Sequence, residues 1–199
     1  VTAAAYVAEV RQSLDRLGLR GRLLLEPEPR NTAPALCAAA LVAMRIDPKA
    51  VIVALPADHV IEEGEAFAGS IVHAVAAAEK GWLAILGVKP RHASSALGYI
   101  MPAAAIDGLP QVYHVGRFIE KPESVIAESL IAAGALWNAG IVVARADTVI
   151  DAMRRHEPAI LEAVERSLAA GGDDEGDDVQ LNADAFAAAP RISFDKAVL

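Results

Sequence analysis

Hydrophobic residues along this chain recur with two periods. Tyr6, Val7, Val10, Leu14 and Leu17 fall at helical spacing, which predicts a helix over 3–18 with Thr2 as its cap and Gly18 and Gly21 at its end. The short apolar run at 22–26 reads as a strand. After a polar turn, an Ala-rich stretch at 33–45 carries Pro34 in its first turn, a favoured place for proline, and Asp47 and Pro48 break it. The β-branched run at 51–55 reads as a strand buried on both faces, 63–80 as a helix, and 82–88 as another buried strand. Strand–helix–strand alternation of this kind implies parallel strands with helices on both faces.

Beyond residue 90 the pattern changes. Segments 96–102 and 111–119 read as two strands joined by a loop containing Gly108 and Pro110. A helix at 123–133 leads to a strand at 140–144, and helices follow at 147–155 and 158–170. The run at 171–178 is rich in Gly, Asp and Glu and reads as a solvated acidic loop. Its carboxylates could bind calcium, but their spacing does not match an EF-hand loop. A short helix at 183–188 precedes a last strand. The expected architecture is α/β: a Rossmann-like, mixed, mostly parallel sheet with helices on both faces, in a single domain over 1–199.

Composition narrows the class. Hydrophobic residues make up 54% of the chain against 22% charged, a globular balance that excludes a disordered chain. No run has the apolar length of a membrane span and no signal-peptide pattern is present, so a cytoplasmic protein with no membrane partner is expected. The one cysteine, Cys37, cannot form an internal disulfide and lies in an apolar helical stretch, where it reads as a small core residue. A net charge of −8 argues against a nucleic-acid partner. It permits a small anionic substrate, provided that local Lys or Arg, or a bound cation, offsets the field. Val1 and Thr2 read as the last step of a strand, and 194–199 stops inside an apolar run, so both ends read as truncated.

Five segments carry polar groups at strand ends or loops. Asp58 follows the 51–55 strand after a proline; it either caps the next helix or serves as a ligand-binding acid at a strand carboxyl end. Glu26 through Pro34 runs from a strand into a helix N-terminus, where Asn31 and Thr32 either cap the helix or leave backbone N–H groups for an anion or a purine edge. Gly98, before Tyr99 and Ile100, is a turn glycine or a place of close backbone approach to a ligand. Glu120, Lys121 and Pro122 end a strand as a surface ion pair or as a phosphate-reaching lysine beside a carboxylate. Trp137, Asn138, Ala139 and Gly140 suit a sugar, or Trp137 anchors the core.

Together and in this order, these segments resemble the nucleotidyltransferase domain of the mannose-1-phosphate guanylyltransferases, the GDP-mannose pyrophosphorylases. Arg30-Asn31-Thr32-Ala33-Pro34 and Leu55-Pro56-Ala57-Asp58-His59 are the most specific matches; Glu120-Lys121-Pro122 and Trp137-Asn138-Ala139-Gly140 recur across sugar-nucleotide pyrophosphorylases. The resemblance implies transfer of GMP from GTP to mannose 1-phosphate, with magnesium as cofactor, GTP and mannose 1-phosphate as partners, and a possible homodimer. It implies that Arg30, Asn31 and Thr32 hold guanine and ribose, and that Asp58 binds the catalytic magnesium and the nucleotide. Gly98 and Tyr99 would line the sugar pocket, Glu120 would accept sugar hydroxyls, and Lys121 would hold the sugar phosphate. Asn138 and Gly140 would lie near the sugar hydroxyls. Asp195 would be the second magnesium carboxylate, on a looser match. The Gly-rich loop that wraps the triphosphate in this family has no counterpart in the chain, which predicts impaired activity for these residues alone. A relative with another base or hexose, and a non-catalytic nucleotide-sugar-binding relative, are the competing readings.

Overall fold

The computed structural model describes residues 1–172 and 178–199. In chain order the elements are β1 (Thr2–Ala3), a 3-10 turn (Ala4–Tyr6), α1 (Val7–Arg16), β2 (Leu24–Glu26), α2 (Thr32–Ile46), β3 (Val51–Ala54), α3 (Gly64–Glu79) and β4 (Ala84–Val88). There follow β5 (Tyr99–Ala105), β6 (Tyr113–Ile119), α4 (Ser124–Ala132), β7 (Leu136–Arg145), α5 (Ala146–His156), α6 (Pro158–Ala170), β8 (Val179–Gln180), α7 (Ala183–Ala187) and α8 (Phe194–Val198). They form two compact units, Val1–Pro48 with Val149–Val198, and Lys49–Thr148 with Leu199.

In the first unit, β1, β2 and β8 make a parallel sheet in that order, with Thr2 opposite Leu25 and Leu24 opposite Val179. Leu23, Leu24 and Leu25 are buried. The Ala-rich α2 packs on α6 and α8, burying Ala33, Leu36, Cys37 and Ala40, while Ile160, Val164 and Phe186 fill the space from α6 and α7. Burial pushes the Cys37 thiol up to about 12, with Glu165 adding to the shift, so it is an inert core residue rather than a nucleophile. Two sequence expectations change here. Thr2 belongs to β1, and α1 starts only at Val7 with no side-chain cap. Residues 194–198 are helical, not a strand: Ala197 N–H donates to Ser193 O at 3.0 Å, and Phe194 and Ala197, three apart, are both buried. Most of the acidic run, 173–177, lies outside the described residues, so its calcium reading is not addressed. Asp178 itself accepts from Leu23 N–H at 2.9 Å and from Arg11 Nη2 at 2.5 Å. Burial opposes its charge, yet these bonds and the nearby arginines hold its carboxyl below the usual range.

In the second unit, β7 organises the sheet. β3 and β4 pair with opposite edges of β7, both antiparallel, with Val51 opposite Arg145 and Ala84 opposite Val143. β5 pairs antiparallel with both β6 and β7. The β3–α3–β4 alternation therefore yields two strands of the same direction, as expected, but β7 lies between them. The α/β fold is mixed, with its parallel pairs in the first unit. Ala74 and Ala78 of α3 pack on Ile141 and Val143 of β7, and Phe67, Ile71 and Leu86 close around them. A second cluster gathers Tyr99, Ala127, Leu130 and Ala135. β3 is not buried on both faces: Val53 is 36% and Leu55 53% exposed. Among the described residues no helix is long and apolar enough to cross a membrane.

Candidate active site

The polar segments of the second unit converge around the first half of β7. Asp58 is exposed in the turn after β3. It does not cap α3, whose N-cap position is Glu63, so the capping alternative is removed. Asp58 instead lines a cavity of about 700 Å³ together with His59, Glu63, Leu97, Trp137 and Asn138. The carboxyl-end position that makes strand termini ligand sites in α/β sheets is thus realised on this side of β3.

Gly98 explains how Glu120 comes close to Asn138 of the cavity lining. It is buried, and a Cβ there would lie 2.9 Å from Glu120 Oε2, 3.0 Å from Phe118 Cζ and 3.4 Å from Asn138 Cβ. The absence of a side chain lets the Glu120 carboxylate sit over the β5 backbone beside Asn138. Asn138 N–H donates to Gly98 O at 2.8 Å, which fixes the start of β5 against β7. Asn138 Oδ1 in turn accepts from Gly140 N–H at 3.1 Å. Gly140 takes φ +65°, which only glycine adopts at little cost, and its α-carbon faces Pro56 in the Asp58 turn.

Lys121 is 58% exposed and its Nζ lies 3.3 Å from Glu120 Oε1, whose side chain is 22% exposed. Its φ of +48° is unusual for a side-chain-bearing residue. A left-handed residue before Pro122 turns the chain sharply at the end of β6. Asn138 and Asp58 thus line the cavity, and the half-buried Glu120 carboxylate and the Lys121 cation lie next to Asn138 across Gly98. That set can hold a polyhydroxylated anion.

Tyr99, expected in the sugar pocket, is fully buried. Its hydroxyl donates to Ser94 O at 3.1 Å and accepts from Ser94 N–H at 2.9 Å and Trp137 Nε1–H at 3.2 Å. The ring has no surface to offer a ligand.

In the first unit, the Arg30–Thr32 groups are largely engaged within the fold. Asn31 caps α2, its side chain accepting from Thr32 N–H at 2.9 Å. Its backbone, at φ +68° and ψ −172°, occupies a region that is nearly glycine-only. Arg30 bonds Glu28 at 2.8 and 2.5 Å and donates from Nη1 to Ala189 O at 3.0 Å. Thr32 Oγ1 accepts from Phe194 N–H at 2.8 Å, and Ala33 N–H donates to Ile192 O at 3.2 Å. Asp195 follows Phe194 directly, in the first turn of α8. The segment expected to hold a nucleobase thus fastens the stretch that carries Asp195.

Glu26 carried no role in the sequence reading although it opens this segment. Its Oε1 is buried with no hydrogen-bond partner, and burial raises its carboxyl above the usual range, outweighing the pull of the Val1 ammonium. Its place at the end of a strand, just before Pro27, was the available signal. Among the described residues no cluster of three or more His, Cys, Asp or Glu forms a metal cage.

The sequence profile of the nucleotidyl transferase family matches residues 2–179. The xanthan biosynthesis protein XanB of Xanthomonas campestris pv. campestris is 38% identical over 190 residues, which are 94% of this chain and 40% of that protein. A mannose-1-phosphate guanylyltransferase of Escherichia coli K12 is 34% identical over 198 residues, covering 97% of this chain and 41% of its own length. A crystal structure described as mannose-1-phosphate geranyltransferase from Thermus thermophilus matches with a TM-score of 0.82 at 31% identity, over 98% of this chain and 53% of that one. The chain spans about two fifths of the length of these curated relatives.

Proposed function

We propose, for a chain that belongs to the nucleotidyl transferase family, that the protein carrying it transfers GMP from GTP to mannose 1-phosphate, giving GDP-mannose and pyrophosphate. The observation that carries this reading is Asn138, which lines a cavity together with Asp58 and stands beside Gly98, against which the Glu120 carboxylate of the Glu120–Lys121 pair packs. The guanylyltransferase name of the Escherichia coli relative supports the choice of base and sugar.

In this reaction an oxygen of the sugar phosphate attacks the α-phosphorus of GTP in line. The bond from the α-phosphorus to its bridging oxygen breaks, and pyrophosphate leaves with the electron pair. Such transfers depend on positioning and charge stabilisation more than on covalent chemistry by the protein. Lys121 serves as a point charge on the sugar phosphate. Glu120 accepts hydrogen bonds from sugar hydroxyls, and Asn138 orders the wall beside it. The chain carries −8 overall, so two anionic substrates need local cations to bind. Asp58 would hold a magnesium ion, which it fits because it is an exposed oxygen donor that no helix cap consumes. The ion would supply neutralisation of phosphate charge.

The test is pyrophosphate release by the intact protein with GTP, ATP, UTP and dTTP, each against mannose 1-phosphate and other hexose 1-phosphates. GTP with mannose 1-phosphate is expected to give the highest kcat/KM. A different preferred pair would reassign the base or sugar, and no release with any pair would leave a binding relative.

A further inference from the structure

Loop 89–98 connects β4 to β5 and forms part of the cavity wall through Leu97. It contains no regular structure, so its shape rests on a few side-chain ties. One hydroxyl supplies most of them. Tyr99 Oη holds both the N–H and the C=O of Ser94, at 2.9 and 3.1 Å, and takes a third bond from Trp137 Nε1 at 3.2 Å. Trp137 also meets the edge of His92, with ring centroids 5.0 Å apart at 73°. At the end of the loop, Gly98 O receives Asn138 N–H. The loop is therefore pinned at Ser94 to Tyr99, and at His92 and Gly98 to two consecutive residues of β7, Trp137 and Asn138, both of which line the cavity.

Satisfying three partners with one buried hydroxyl is costly to undo. Removing it leaves the part-buried Ser94 backbone and indole N–H short of a partner. The tyrosine ring itself fills the core among Ala127, Leu130 and Ala135, so a phenylalanine keeps the packing while deleting the three bonds.

We propose that Tyr99 and Trp137 are positioning residues for the sugar-phosphate half of the reaction: their shared hydrogen bond locks loop 89–98 and so sets Leu97 and Asn138 in the cavity lining and Gly98 against Glu120. Neither the tyrosine hydroxyl nor the indole N–H meets the substrate. This rests on the proposed function for the identity of the ligand, and on the hydrogen-bond network alone for the locking of the loop.

The experiment compares wild-type, Tyr99→Phe, Trp137→Phe and the double variant in the intact protein, with two independent readouts. The first is tryptic cleavage after Arg91, which is exposed in the loop, followed by mass spectrometry. The second is steady-state kinetics with each substrate varied. Each single variant is expected to speed cleavage after Arg91 about tenfold. Each is also expected to raise KM for mannose 1-phosphate about tenfold, with KM for GTP and kcat within about twofold of wild-type. A tenfold change corresponds to about 1.4 kcal/mol, the scale of one lost buried hydrogen bond. The double variant is expected to add little to Tyr99→Phe, because loss of the hydroxyl already deletes the one bond that Trp137→Phe removes. Cleavage at the wild-type rate overturns the locking. Faster cleavage with equal changes in both KM values, or in neither, overturns the positioning role and leaves a purely structural network. If wild-type protein turns over no hexose 1-phosphate, the functional reading has failed; the positioning claim then falls with it, while the cleavage rates still decide the locking.

Discussion

Lys121 holds the two demands on this site in one residue. Its ion pair with Glu120, 3.3 Å long and on a side chain 58% exposed, is a surface pair, worth about 0–1 kcal/mol to folding. Its backbone at φ +48° costs more, about 1–2 kcal/mol for a residue with a Cβ. Lysine is thus a poor structural choice there, and strain of this kind gathers at functional positions. Lys121→Gly is expected to raise the melting temperature while raising KM for mannose 1-phosphate about tenfold or more, with KM for GTP little changed. Equal effects on both substrates would remove its assignment to the sugar phosphate. Asp58 allows a cleaner separation still. Since Glu63 holds the N-cap position of α3, Asp58→Asn is expected to leave thermal unfolding unchanged and to abolish pyrophosphate release. Turnover at the wild-type rate would refute the metal role. The sequence left Asp58 open between cap and acid, because a carboxylate near a helix start looks the same in either case; its distance along the chain from Glu63, the N-cap position of α3, decides it.

The N-terminal end of α2 illustrates why some roles were legible and others were not. Capping by Asn31 is local, a contact between neighbours in sequence, and the Asn-Thr pair before an apolar helix announces it. The partner of Thr32 is not local. Phe194 N–H lies 162 positions away, and no periodicity in either segment links them. The same limit hid Trp137 behind Tyr99, and it hid β7 between β3 and β4, because strand order depends on pairing that patterning does not encode. Residues 194–198 misled for another reason: a short apolar run satisfies either period, and the bonds back to Ser193 select the helix. The Thr32 tie predicts its own measurement. Thr32→Val keeps the shape, removes the acceptor and leaves Phe194 N–H unsatisfied, so it is expected to cost about 1–3 kcal/mol in urea unfolding. Thr32→Ser restores the oxygen and is expected to recover most of that loss. Equal stability of the Val and Ser variants would show that the hydroxyl carries nothing.

At the scale of the whole molecule, the charge balance makes stability depend on pH in two opposed ways. Asp147, bonded to Arg145, and Asp178, bonded to Leu23 N–H and Arg11, both have carboxyls below the usual 3.8. Their contributions are present above that value and are lost as pH falls through their lower folded values. Glu26 works in the other direction. Burial lifts its carboxyl above the usual 4.5, so the folded chain holds a proton there that the unfolded chain releases. Its contribution is complete below 4.5 and is lost as pH rises through the raised value. Above the raised value of Glu26, then, the first pair supports the fold while the ionised Glu26, with one buried oxygen unpartnered, opposes it. Glu26→Gln is expected to unfold at a higher temperature than wild-type at pH 7, with the difference shrinking toward zero as pH drops below 4.5. Asp178→Asn is expected to behave inversely, less stable than wild-type at pH 7 and converging with it in strong acid. Melting temperatures across pH 2–8 for the three proteins check both. A Glu26→Gln variant that is no more stable at pH 7 than at pH 4, relative to wild-type, would mean that Glu26 carries no buried charge.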